Sequence, residues 1–458
     1  MSATATTEKK YLKWYQKLAY GSGDLASNCS YGLVSSFVLL YLTGTMGLDS
    51  AIIGSLMLAS KVLDGISDVI FGTLIDRTHS KLGKARPWML FGQVGVSLCL
   101  FLLFAIPAGS TTMQYIYFFI VYTALNAVFY TANGIAYSSL VALITKNNNE
   151  RVQLGSFRFM FAVVTNIFMG FAVTGMVEKF GSGAAGWRTT ALIFAIVGLV
   201  VNTISCLAVK ELPEEELSGN TSEAAEEGKA VAEEKKHGFA ETAKILIHNK
   251  YYLMILAIYI VYYIMSNLTT GAGVFCATYY WGDGSLLGQF SMMKMFPVII
   301  ALAIAPVLIK KTGSMQKVNF WGYAISSVLG IPMIYFAMQK NLSMFLLFMF
   351  IKGIFAGTLS GSLNALIAEA SGYTTRTTGV HMDGMMYSCS SLGVKVGGGI
   401  GTAAVGWLLK LGGFVGTATV QSESAIRMIF NLYITFPFVI GIIITVLLAF
   451  LDVEKANK

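Results

Sequence analysis

Lys61, Asp64 and Asp68 fall within the eight residues KVLDGISD, inside an otherwise apolar run. Asp64 and Asp68 are spaced i, i+4 and share one face of a helix; Lys61, seven residues before Asp68, lies close to that face. A charged side chain at the middle of a bilayer costs about 3 kcal/mol or more, and such groups usually face a cavity. Two neighbouring carboxylates repel unless a cation or a proton sits between them. Carboxylate and hydroxyl oxygens, with Ser67 next door, would suit a hard cation, so the pattern points to binding of Na+ or H+. A plainer reading, in which Lys61 neutralises one aspartate as a structural pair, stands beside it.

The elements that hold these residues follow from composition. The chain has 458 residues, 55% hydrophobic and only 12% charged, against about 25% charged in soluble domains. Apolar runs of about 20 residues or more, split by short polar stretches, predict membrane-spanning helices. Twelve are expected, near 18–43, 50–74, 87–107, 113–145, 152–177, 188–209, 250–281, 286–310, 317–338, 343–370, 380–410 and 425–451. Nothing shows the short alternating segments of a membrane barrel. The polar first residues suggest no cleaved signal peptide. The five cysteines (Cys29, Cys99, Cys206, Cys276, Cys389) are scattered through apolar segments and form no metal-binding spacing. No cofactor, nucleotide motif or nucleophile constellation is apparent, so no enzyme is expected.

The polar insert around 210–249 divides the chain into an N-terminal six-helix bundle (1–209), a linker and a C-terminal six-helix bundle (250–458). Basic residues gather on one side: Lys9, Lys10, Lys13 and Lys17, then Arg77, Lys81, Lys84 and Arg86, then Lys146 and Arg151, later Lys310, Lys311 and Lys317, and finally Lys455 and Lys458. The positive-inside rule makes that side cytoplasmic, with both termini and the linker. A plasma (inner) membrane protein is expected, and its net charge of +8 needs no nucleic-acid partner.

Six plus six helices around a cytoplasmic linker resembles the major facilitator superfamily, whose substrate sites lie near the bilayer midplane between two rocking halves. Gly72, Asp76 and Arg77, followed by Lys81, Lys84 and Arg86, resemble that superfamily's loop between helices 2 and 3. Gly72 is expected to allow close helix approach, with Asp76 and Arg77 pairing across the cytoplasmic face. Five stretches narrow the resemblance: KLAYGSGDLASN, DGISD, DRTHSKLGKARP, YTANGIAYSSL and GVHMDGMMYSCSSLGVKVGGGIG, in that order along the whole chain. Together they resemble the glycoside–pentoside–hexuronide:cation symporters, of which the melibiose and glucuronide transporters are types.

The resemblance implies a cation site at Asp64, Asp68 and Thr131, with Ser67 where the family has a side-chain amide. It implies a sugar site built on helices 1, 4, 5 and 11. The family's helix 1 acid and the lysine before it fall on Asn28 and Ser27. The helix 4 acid falls on Gly134 and its aromatic on Ser138, while Tyr130 and Thr131 are kept. The helix 5 arginine falls on Arg158, with Arg151 the other candidate, and the helix 11 lysine on Lys395. The acids that recognise galactosides are therefore missing while two cations remain. Arg pairs with carboxylates in bidentate geometry, so an acidic sugar such as a glucuronide or other hexuronide is expected to supply the balancing charge. If Arg158 and Lys395 instead pair with Asp64 or Asp68, the substrate can be a neutral glycoside or pentoside.

Lys294 and Lys352 lie in helices 8 and 10, where snorkelling, a structural ion pair or substrate contact would each explain them. Glu369, Arg376, His381 and Asp383 are expected to form a cytoplasmic gate. TYYW (Thr278–Trp281) reads as an interfacial aromatic belt, and VGGGIG (Val396–Gly401) as a close-packing helix surface. The whole points to an all-α, monomeric, cation-coupled sugar importer working by alternating access. A sensor or uncoupled channel on the same scaffold is the reading from another class.

Overall fold

A computed structural model of the chain describes residues 9–213, 245–378, 383–418 and 420–457, apart from the side chains of residues 383 and 384. Helices α1 (Trp14–Thr45), α2 (Ser50–Asp76), α3 (Arg86–Leu103), α4 (Thr111–Ile144), α5 (Asn148–Lys179) and α6 (Gly183–Leu207) precede the linker. After it come α7 (Lys250–Tyr280), α8 (Leu286–Thr312), α9 (Met315–Met338), α10 (Leu342–Thr378), α11 (Asp383–Leu411) and α12, which runs from Glu423 to Phe450 in three consecutive pieces. Among the described residues, eleven helices are long and apolar enough to cross a membrane. Helix α2, which carries Lys61, Asp64 and Asp68, is 27 residues long.

Several helices outrun their apolar cores. Helix α5 starts at Asn148, where the Asn147 side chain caps its first turn, and α10 runs on to Thr378. Ser110, Asn147, Asn249, Ser314 and Ser422 each accept a hydrogen bond from a backbone N–H of the following first turn. These satisfy donors that a helix start leaves open. Four π segments interrupt α1, α4, α7 and α12, at Tyr41–Thr45, Ala124–Tyr130, Cys276–Tyr280 and Asn431–Thr435.

The chain divides into two compact units, Met1–Met46 with Ala59–Asn220, and Gly47–Leu58 with Thr221–Lys458. In the first, α1 packs on α5 and α6, and α3 on α4 and α6. Phe91, Val94 and Leu98 make an exposed apolar stripe along α3, a surface suited to lipid and not to water. In the second, α7 packs along α11 and α10 along α8 and α9. A Cβ on Gly397 would come within 2.4 Å of the Ile260 carbonyl, and one on Gly401 within 2.6 Å of the Ile264 carbonyl. The glycine run of α11 is thus the close-packing face expected of it. The same unit holds the first turns of α2: Ser50 Oγ donates to the Gly406 carbonyl at 2.9 Å, and Lys410 meets Asp49 at 2.6 Å.

Each unit also ends on a glutamate that caps its own third helix. Glu211, after α6, accepts from the N–H groups of Lys84, Ala85 and Arg86 at 2.7–3.0 Å, at the start of α3. Gly83, at φ +113°, makes room for it, since a Cβ there would lie 2.3 Å from the carboxylate carbon. Glu454, after α12, accepts from Met315 and Gln316 N–H at 2.7 and 3.3 Å, at the start of α9. Negative charge at a helix N-terminus is also favoured by the helix dipole. Glu454→Ala should therefore destabilise the protein by about 1–2 kcal/mol, and Glu454→Gln by less because its amide oxygen still accepts. Thermal unfolding of the detergent-purified protein measures both; equal melting of all three forms would remove the cap's role.

Candidate functional site

Asp64 is 5% exposed, and both its oxygens are engaged. Oδ1 lies 2.6 Å from the Thr131 hydroxyl, and Oδ2 lies 3.6 Å from the Lys61 ammonium. Thr131 follows directly on the π segment Ala124–Tyr130 of α4. The wider turn brings its hydroxyl within 2.9 Å of the Asn126 carbonyl, five residues back. One hydroxyl oxygen thus stands between a carboxylate and a carbonyl. With Asp64 ionised, Thr131 donates to it. With Asp64 protonated, the acid donates to Thr131, and Thr131 can donate to Asn126. Both protonation states are satisfied without moving a heavy atom.

The Lys61 ammonium also lies 5.5 Å from the centroid of the Tyr31 ring, a cation–π contact. Asp68 is partly buried, one turn further along α2. Ser67 donates to the Asp64 carbonyl at 2.9 Å, so its proton is committed to its own helix. Lys61 and Thr131 both meet the Asp64 carboxylate.

A second polar cluster lies on α1, α4 and α5. Arg158 of α5 meets Asp24 of α1 at 2.6 Å, with side chains 26% and 18% exposed. The guanidinium stands 4.2 Å from the Tyr137 ring centroid, and Tyr137 donates to the Tyr20 carbonyl at 2.8 Å and approaches Asp24 at 3.3 Å. Arg158 therefore carries a carboxylate partner already, contrary to the expectation that it is unbalanced or pairs with Asp64 or Asp68. One turn along α1, Asn28 donates to the Asp24 carbonyl at 2.7 Å and accepts from Asn166 of α5 at 2.9 Å. Tyr31 and Tyr130 stack with centroids 5.3 Å apart. Asp24, Asn28 and Tyr31 follow i, i+4, i+7 and form one stripe of α1.

Of the remaining expected residues, a Cβ on Gly134 would meet nothing within 4 Å, so that position borders open space. Ser138 is exposed and Ser27 buried. Arg151 binds the Thr145 carbonyl at 3.1 Å, at the start of α5. Lys395 belongs to the second unit and is partly buried on α11. Asp24 and Asn166 were missed by the sequence reading. Asp24 had a signal, an acid one turn before Asn28 in an apolar helix; Asn166 had none beyond its type.

The loop residues depart further from expectation. A Cβ on Gly72 would meet nothing within 4 Å, so no helix approaches closely there. Asp76 and Arg77 are exposed and form no ion pair among the described residues. Arg86 instead ties the start of α3 to the Cys206 carbonyl of α6 at 3.2 Å. Glu369 accepts from Asn457 at 2.7 Å, and Arg376 donates to the Asn457 carbonyl, so the C-terminal segment joins those two groups. His381 and the Asp383 side chain lie outside the described residues. In the aromatic run Thr278–Trp281, Tyr280 donates to the Ala337 carbonyl at 2.8 Å. The structural ion pair considered for Lys294 and Lys352 is absent among the described residues.

The sequence profile of the family described as MFS/sugar transport protein matches residues 19–455. The isoprimeverose transporter of Lactiplantibacillus pentosus is 26% identical over 98% of this chain and 90% of its own length. The glucuronide carrier protein homolog of Escherichia coli is 24% identical over 88% of this chain and 85% of its own. Among solved structures, the D-xylose-proton symporter superposes with a TM-score of 0.64 at 12% identity, covering 96% of this chain and 97% of that one. The fold is the major facilitator fold.

The Asp24–Arg158 pair yields a prediction independent of substrate. Asp24→Asn and Arg158→Gln should each destabilise the protein, because each strands one charge inside the bundle. The double variant should recover part of the loss, a coupling of about 1–3 kcal/mol. Thermal unfolding of the four forms measures it; strict additivity would mean that the two charges do not hold one another.

Proposed function

Because the chain belongs to the MFS/sugar transport protein family, we propose that it is a proton-coupled symporter importing a neutral glycoside by alternating access. The observation that carries the coupling is the Asp64 carboxylate, held between the Thr131 hydroxyl and the Lys61 ammonium. A hydroxyl that can either donate to or accept from that carboxylate suits a group that gains and loses a proton during the cycle. A sodium ion would need several oxygen ligands, and here an ammonium, Lys61, already stands beside the Asp64 carboxylate. Asp68, one turn away, adds the negative charge that keeps the region attractive to cations. The positive-inside distribution of Lys and Arg supports a cytoplasmic location for both termini, as in a plasma-membrane importer.

The sugar would bind against Asp24, Arg158, Asn28 and Asn166, with Tyr130 and Tyr31 beside them. A carboxylate accepts from sugar hydroxyls, a guanidinium donates to them, and an aromatic face covers the apolar side of a pyranose ring. Because Asp24 already balances Arg158, a neutral sugar leaves this site with no net charge to answer, and a relative described as an isoprimeverose transporter supports that class. The second reading is an acidic sugar, favoured by Lys395 and by a relative described as a glucuronide carrier homolog.

In proteoliposomes, a pH gradient acid outside should drive accumulation of labelled isoprimeverose without sodium, and a protonophore should abolish it. Asp64→Asn should lose accumulation but keep exchange of sugar down its gradient. Accumulation by Asp64→Asn equal to wild type would sink the coupling assignment, and a sodium gradient that alone drives uptake would replace the proton. Uptake that no gradient concentrates would favour the sensor or channel reading. Lys395→Gln should leave neutral-sugar uptake within about twofold, since a neutral sugar offers the ammonium no carboxylate to bind. If glucuronides alone accumulate, and Lys395→Gln stops them, the acidic-sugar reading takes over.

A further inference from the structure

The second unit contains a cavity of about 190 Å³ between α7, α8, α9, α10 and α12. Two cations, Lys294 of α8 and Lys352 of α10, line it. They lie eight and ten residues from the starts of their helices, roughly 12–15 Å along the axis at 1.5 Å per residue, well inside a bilayer-spanning bundle. Helices α8 and α10 approach closely at this level: a Cβ on Gly353 would lie 2.8 Å from the Cβ of Pro297. The close crossing is why neighbouring residues on both helices turn their side chains into one cavity.

The lining of the cavity holds two cations and no carboxylate. Lys294 donates to the Thr269 and Thr270 hydroxyls at 3.2 and 3.3 Å. Lys352 has no hydrogen-bond or ion-pair partner among the described residues, and neither lysine has a carboxylate. The Tyr323 hydroxyl also lines the cavity; the residue is only 2% exposed, and the hydroxyl has no partner among the described residues. Buried donors of this kind are nearly always satisfied, and an ammonium in a bilayer calls for a counter-charge. Most of the remaining wall is apolar, with Met265, Met293, Met333 and Met349 giving it adaptable thioether surface.

We propose that this cavity binds a small organic anion, a carboxylate on a compact apolar body, with its oxygens on Lys352, Lys294 and Tyr323 and its apolar part among the methionines. A bare halide would leave the apolar wall uncovered, and a neutral compound would leave the lysines unanswered. The site lies wholly within the second unit and uses none of the residues assigned to the proton or the sugar, so it stands whether or not the transport reading does.

The probe is benzoate, added to the purified full-length protein in detergent. Sodium benzoate, sodium chloride, and benzyl alcohol with sodium chloride are compared at one sodium concentration by thermal unfolding. Benzoate should raise the melting temperature saturably, and the other two should not. Lys352→Met should weaken the apparent affinity by about tenfold or more, the size of one lost charge-assisted hydrogen bond. Tyr323→Phe, which removes one oxygen and preserves packing, should weaken it several-fold and serves if the lysine variant does not fold. The proposal is overturned if benzoate does no more than chloride or benzyl alcohol, or if its effect survives unchanged in Tyr323→Phe and in a folded Lys294→Met/Lys352→Met.

Discussion

A charge inside a bilayer has no water to turn to, and that constraint organises this chain more than any propensity does. Each intramembrane charge must find a partner on the protein, exchange its proton, or meet a ligand. Asp64 finds Lys61 and Thr131. Asp24 finds Arg158. Among the described residues, Lys294 finds only two threonine hydroxyls and Lys352 finds nothing. The chemistry proposed at each place follows from that ranking. A carboxylate with reversible partners suits proton exchange, a balanced pair suits neutral polyols, and cations without acids suit an anion.

The same constraint acts on the backbone. Helices satisfy their own interior, but their starts do not, and the chain treats those starts alike in its two halves. A glutamate after the sixth helix caps the third in one unit, and a glutamate after the twelfth caps the ninth in the other. Both carboxylates lie just past an apolar run, where they can reach N–H groups at a helix end without entering hydrocarbon. The correspondence shows a structural repeat in the capping chemistry that neither half's hydrophobic pattern reveals.

The fold was legible because long apolar runs leave the backbone few alternatives. The twelve expected spans match α1 to α12, and the errors are at polar ends such as Asn148, where the Asn147 cap and not hydropathy decides. The site was legible only in part. Asp64 and Thr131 announced themselves by type and spacing. Asp24 was passed over because the resemblance assigned the helix 1 acid to position 28, so Arg158 looked unbalanced. Ser67 and Gly72 could not be read at all from sequence. Which way a serine donates, and whether a glycine has a neighbour, depend on packing. The π segment before Thr131 was equally hidden, since ALNAVFY carries no mark of a widened turn.

That widened turn is what makes Thr131 a candidate for coupling and not merely a polar neighbour. In a regular helix the hydroxyl of a threonine returns to the carbonyl four residues back, as those of Thr165 and Thr203 do here. At Thr131 the acceptor is five residues back, at Asn126, and the hydroxyl oxygen lies between it and Asp64. A proton on Asp64 can reverse that hydrogen-bond chain and remove the charge that holds Lys61. Loss of the proton restores both. Under the proposed function, a single proton therefore alters the Lys61–Asp64 contact within α2 and the Asp64–Thr131 contact between α2 and α4 together. Helix α4 also carries Tyr130 and the open position at Gly134, so a change at the proton site reaches the sugar site through covalent continuity, with no further relay required.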